Sequence, residues 1–182
     1  MRHRNRSDRG ETHPHRNEPV VGDSDAAATP LRRVSFGSTS AVVTSIGLVV
    51  GFATTGTPRA TIIGGLLIVG IADNLTDSLS VHLYQESEGL APDEAWISTV
   101  TNFCARFAIT ATFVALVAVL SSPWLVPVTI VWGLAVLGTL TVLLAWQRHA
   151  PVGRELLRHF AITLVVIALS RAIGLAVSTH VS

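Results

Sequence analysis

FAITATFVALVAVLSSPWLVPVTIVWGLAVLGTLTVLLAWQ, Phe107 to Gln147, contains no Asp, Glu, Lys or Arg. An apolar helix inside a soluble domain runs for roughly 10–14 residues, and crossing a bilayer takes about 20. This stretch is long enough for two crossings, and Ser121-Ser122-Pro123 supplies a break between them. The fold class follows: an all-α polytopic membrane protein. The rest of the chain agrees. Of the 182 residues 49% are hydrophobic and 14% are charged, with a mean hydropathy of +0.51. An ordinary soluble domain carries about 25% charged residues.

Working outward from that stretch gives five transmembrane helices. One ends within it, from about Ile97 to Leu120, and one lies wholly within it, from about Trp124 to Trp146. Upstream are spans from about Ser38 to Thr55 and from about Ala60 to Tyr84, joined by the turn Gly56-Thr57-Pro58-Arg59. Downstream, a basic link over 147–158 leads to a fifth span, about His159 to Ser178. Residues 1–35 mix Arg, His, Asp, Pro and Ser without apolar periodicity and read as a disordered tail. Residues 36–182 form the transmembrane domain. The first apolar segment starts too late for an ordinary signal peptide, so it is expected to stay as an anchor. His13-Pro14-His15 offers weak metal ligands but fits a solvated tail better. Cys104 is the only cysteine, which excludes an intrachain disulfide.

Arginine placement orients the spans. Arg32 and Arg33 precede the first, and Arg148, Arg154 and Arg158 lie between the fourth and fifth. The opposite side carries only Arg59. The positive-inside rule then puts the N-terminus in the cytosol and the C-terminus outside. Trp96, Trp124 and Trp146 fall at span ends, where amphipathic rings prefer to sit. The expected location is a multi-pass position in a membrane, the plasma membrane of a prokaryote, with the lipid bilayer as constant partner. The tail is too mixed in sign to argue for nucleic acid.

Two acids interrupt the second span. Asp73, Asp77, Ser80 and Tyr84 are spaced to share one helical face, flanked by Asn74 and Val81, with Leu75 and Leu79 on the other side. An Asp at mid-membrane costs roughly 2.5–3.5 kcal/mol, and such residues usually face a bundle interior or water and mark ion paths. Two other readings compete with an ion path. The acids can pair with arginines at matching depth, Asp77 with Arg106 and Asp73 with Arg171. They can also be protonated in a low-dielectric site. Asn102, Arg106 and Thr110 share a face of the third span, and Ser40, Thr44, Gly47 and Gly51 make a small-residue face on the first. Gly47-x-x-x-Gly51 allows close helix approach. His82 lies off the Asp stripe and reads as an interfacial histidine.

The first span, SAVVTSIGLVVGF (Ser40–Phe52), followed by a short turn and GIADNLTDSLSVHLYQESEG (Gly70–Gly89), resembles the vacuolar iron transporter family and its bacterial relatives. The likeness covers the layout of residues 36–178, and its specific motifs lie in the first two spans. It implies a five-helix subunit and a homodimer whose first helices line a central path. It also implies export of Fe²⁺, and in some members Mn²⁺, from the cytosol with proton coupling. The family's early acidic position in the second helix falls on Asp73, its later Ser on Ser80, and its acidic cytosolic end on Glu86 and Glu88. Ser40 stands where the family has an Asp, Ala41 where it has a Gly, and Val81 where it has a Met. The large metal-binding insertion of plant-type members is here a short acidic link. Asp73, Asp77, Asn74 and Ser40 offer the oxygen ligands that Fe²⁺ and Mn²⁺ accept.

The expected function is therefore divalent-cation transport, with metal contacts at Asp73, Asp77, Asn74, Ser40, Ser80, Glu86 and Glu88, the metal being cargo and no cofactor being required. The alternative is a non-transporting membrane scaffold with an Asp–Arg locked interior. A membrane enzyme is not expected. Asp73-Asn74-x-x-Asp77 resembles the Asp-rich motifs that hold Mg²⁺-diphosphate, but the other predicted spans contain no Asp or Glu to complete such a site.

Overall fold

The computed structural model describes residues 30–180, with side chains from Gly37 onward. His13 and His15, the rest of residues 1–29, and residues 181–182 lie outside the described residues. Those described form α1 (Pro30–Thr54), α2 (Arg59–Ser87), α3 (Pro92–Val119), α4 (Ser122–Gln147) and α5 (Val152–His180). All five helices are long and apolar enough to cross a membrane. Residues 30–35, assigned above to the tail, belong to α1. The apolar pattern of α1 starts near Ser38, so its first turns carried no hydropathy signal.

Local chemistry sets the helix ends. Gly56 and Gly89 take positive φ in the α1–α2 and α2–α3 links, and Pro92 and Pro123 open α3 and α4. The α4–α5 link reverses instead at His149, a non-glycine residue with φ 52°. Arg59 ties the α1–α2 turn to the far end of α3. Its Nη1 donates to the carbonyl of Ala118 at 3.0 Å and its Nη2 to that of Leu120 at 2.6 Å. Those carbonyls belong to the unsatisfied set at a helix C-terminus, where a cation is also electrostatically favoured.

α1 is the central helix. It buries residues in pairs one turn apart, Ala41 with Val42, Ser45 with Ile46, and Val49 with Val50. The resulting core joins Val42, Ile46 and Val49 to Leu66 of α2, Phe113 and Val117 of α3, and Leu137 of α4. Apolar burial drives little association inside lipid, so close fit matters more there. Between α1 and α5 the fit depends on small residues. A Cβ on Gly174 would lie 2.7 Å from the carbonyl oxygen of Gly51, and one on Gly47 would lie 3.1 Å from Ser170 Oγ. The Gly47-x-x-x-Gly51 motif thus packs within the chain, against α5.

The other four helices wrap α1 in chain order, α2 on α3, α3 on α4 and α4 on α5, and α2 does not touch α5. The arc is therefore open on one side. There α1 and α5 border an apolar groove of about 840 Å³, lined by Thr44, Gly47 and Gly51 on one wall and Val166, Ser170 and Ile173 on the other.

Candidate functional site

The α2–α3 seam is polar at its centre. α2 buries Gly70, Asn74, Ser78 and His82, one residue per turn, and α3 meets them with Ser98, Asn102, Arg106 and Thr110. Arg106 is wholly buried, and its guanidinium gathers groups from two neighbouring helices. Nε donates to Asn74 Oδ1 at 2.9 Å, and Nη1 donates to the carbonyl oxygen of Gly37 at 2.5 Å. Nη2 faces Ser40 Oγ at 3.4 Å, Asp73 Oδ2 at 3.2 Å and Asp77 Oδ2 at 2.6 Å. Gly37 permits this approach, because a Cβ there would collide with Nη1 and lie 2.9 Å from Arg106 Cδ.

The charge count is uneven. Among the described residues, one guanidinium meets two carboxyl groups. The two acids are not sealed in. Their side chains are 35% and 42% exposed, against 1% for Arg106. Each gives Oδ2 to the arginine. On the inner side of Asp73 and Asn74 there is a cavity of only about 10 Å³, the threshold for a single water. The exposed face of α2 offers a hydrated cation a route to these carboxylates.

Several expectations change. Arg171 does not pair with Asp73. It is exposed on α5, a helix that does not contact α2, and Asp73 shares Arg106 with Asp77. Depth matching fixed the axial coordinate but not the direction a residue faces. The stripe of Asp73, Asp77, Ser80 and Tyr84 lines the edge of the bundle, not its interior. Ser80 is exposed and donates to the carbonyl of Thr76 in its own helix at 2.9 Å, and Tyr84 is 64% exposed. Leu75 and Leu79, on the other side of the helix, are exposed as well. His82 is buried, with its ring 4.5 Å from that of Trp96 and Nε2 3.4 Å from Glu86 Oε1.

Of the seven candidate metal contacts, the structure brings together Asp73, Asp77, Asn74 and Ser40, all around Arg106. Ser80, Glu86 and Glu88 make no polar contact with that cluster. Glu86 serves His82, and Glu88 caps α2. Sequence reasoning missed Gly37, whose role depends on a backbone carbonyl and on the absence of a side chain. It also missed the Gln85–Ser98 contact, Nε2 to Oγ at 2.9 Å, which joins α2 to α3 one turn beyond His82. Cys104 is an exposed thiol.

Among the described residues no three His, Cys, Asp or Glu side chains group closely enough to hold a metal ion. The described residues offer a cation two carboxylates and a neighbouring hydroxyl here, short of the six or so oxygens that Mg²⁺-like or Mn²⁺ sites use. Comparison with protein-family models, with curated proteins and with solved structures finds no match to this chain.

Proposed function

We propose that the protein transports divalent cations across its membrane, with Asp73 and Asp77 as the carboxylates that meet the ion. The observation that carries this reading is the imbalance at Arg106. Two acids within the second apolar helix share one guanidinium and stay more than a third exposed. An unneutralised charge beside hydrocarbon is costly unless water, a second subunit or a passing cation compensates it. In this reading Arg106 is a resident counter-charge. It holds the carboxylates in place and keeps the site from binding its cargo too tightly to release it. The ligand shortfall is made up when a second copy brings its own Asp73, Asp77 and Ser40 to the open face, as a homodimer. The resemblance to iron transporters suggests Fe²⁺ or Mn²⁺, moving out of the cytosol against protons, with the N-terminus inside.

A second reading is a membrane scaffold locked by Arg106. It is favoured by acceptors on all three nitrogens of the guanidinium and, among the described residues, by the missing third metal ligand. Flux separates the two. Proteoliposomes of the parent should take up Fe²⁺ or Mn²⁺, and Asp73→Asn and Asp77→Asn should each lower the rate at least tenfold while the protein stays folded. No flux by the parent for either ion defeats the transport reading and leaves the scaffold.

A further inference from the structure

At the opposite end of α4 from Pro123, a second polar pocket opens between α1, α4 and α5. Its volume is about 320 Å³, and its walls include Thr39, Leu144, Arg148, Glu155, Arg158 and His159. Two arginines thus face one acid. The pair between them is loose, with Arg158 Nη1 3.7 Å from Glu155 Oε1 and the arginine side chain 58% exposed. An exposed pair of that kind contributes little, so both guanidiniums remain available to another anion. His159 is held in place: its Nδ1 lies 2.9 Å from the carbonyl oxygen of Glu155. That oxygen can only accept, so Nδ1 carries the proton.

The position selects the ligand. The pocket lies where α4 ends at Gln147 and α5 begins at Val152, next to Trp146, which is 65% exposed. Indole rings left exposed at span ends mark the headgroup layer. A group seated here has a phosphate at the level of the arginines and acyl chains alongside the apolar faces of α4 and α5. A guanidinium matches two phosphate oxygens at once. Basic pockets between transmembrane helices are suited to anionic headgroups, and the same arginines disfavour the cation of a choline or ethanolamine headgroup.

We infer that this pocket is a binding site for one anionic glycerophospholipid, held through its phosphate by Arg148 and Arg158. The site is separate from the Asp73–Asp77 cluster and does not depend on transport. The test uses the full chain reconstituted in an equimolar mixture of phosphatidylglycerol and phosphatidylcholine, then released into the gas phase for native mass spectrometry. The parent should retain one phosphatidylglycerol per chain in preference to phosphatidylcholine by about thirtyfold, taking about fivefold per arginine. Arg148→Gln and Arg158→Gln should each lower the preference about fivefold, and the Arg148→Lys/Arg158→Lys protein should keep most of it. Arg154→Gln, outside the pocket lining, should leave it unchanged. Equal retention of the two lipids by the parent, or an unchanged preference in both single glutamine variants, overturns the proposal. Displacement of the lipid by millimolar inorganic phosphate also overturns it, by assigning the pocket to a soluble anion.

Discussion

Replacing Arg106 with leucine should be among the most damaging single changes in this chain, and the structure says how the damage divides. The substitution leaves Asn74 Oδ1 without its donor in a buried site and removes a second donor from the Gly37 carbonyl, which keeps its place in the α1 ladder. The orphaned amide oxygen costs about 1–3 kcal/mol. Breaking a fully buried ion pair costs about 3–5 kcal/mol, but here the carboxylates are 35% and 42% exposed, so their share is partly screened. A total loss of about 3–5 kcal/mol is expected. The sign of the coupling is more informative than the total. In the parent, Asp77→Asn removes the shorter ion pair, 2.6 Å against 3.2 Å for Asp73, and should destabilise by about 1 kcal/mol after screening. In the Arg106→Leu background the same change removes a carboxylate that has lost its counter-charge, so it should be neutral or stabilising. Equilibrium unfolding in mixed micelles, run as a double-mutant cycle, measures both. An Arg106→Leu protein within 1 kcal/mol of the parent would falsify the counter-charge role, as would an Asp77→Asn effect that is the same in both backgrounds.

Three further outcomes follow from the geometry. Gly37→Ala puts a methyl group against the guanidinium and should cost about 1–3 kcal/mol; it should be milder in the Arg106→Leu background, read by the same unfolding assay. Gly174→Leu forces α5 away from the Gly51 carbonyl, 2.7 Å from where a Cβ would lie. It should destabilise by about 1–3 kcal/mol and increase labelling of a cysteine placed at Val166 in a cysteine-free background. His149→Gly relieves a left-handed backbone at φ 52° and should raise stability by about 1 kcal/mol, visible as a higher midpoint in thermal unfolding.

The five helices were legible because crossing a membrane imposes length and apolarity on each span independently, and because Gly, Pro and Ser mark the links. The site was legible in part. Asp77 and Arg106 could be matched by depth, since both positions count directly from span ends. Asp73 was matched to the wrong arginine, because nothing in a linear sequence says that α5 stands apart from α2. The packing of His82 was missed for a related reason. Its face, with Gly70, Asn74 and Ser78, looked less polar than the Asp stripe, yet that face meets α3. The rule that polar residues point inward ranks faces by polarity. Here the more polar face lies at the edge, where the arc of helices is open. The contribution of Gly37 lay in a carbonyl and a missing methyl group, and neither has a hydropathy signature.

The grip of Arg106 on Asp73 spans 33 residues of sequence, which has a consequence during synthesis. At roughly 5–20 residues per second, the ribosome makes the arginine about two to seven seconds after the acid. Through that interval α2 carries both carboxylates without their partner, a penalty of roughly 5–7 kcal/mol if they sit at mid-bilayer. The second helix should therefore wait in or beside the insertion channel until the third arrives, and the two should partition into lipid as a hairpin with Arg106 already against the acids.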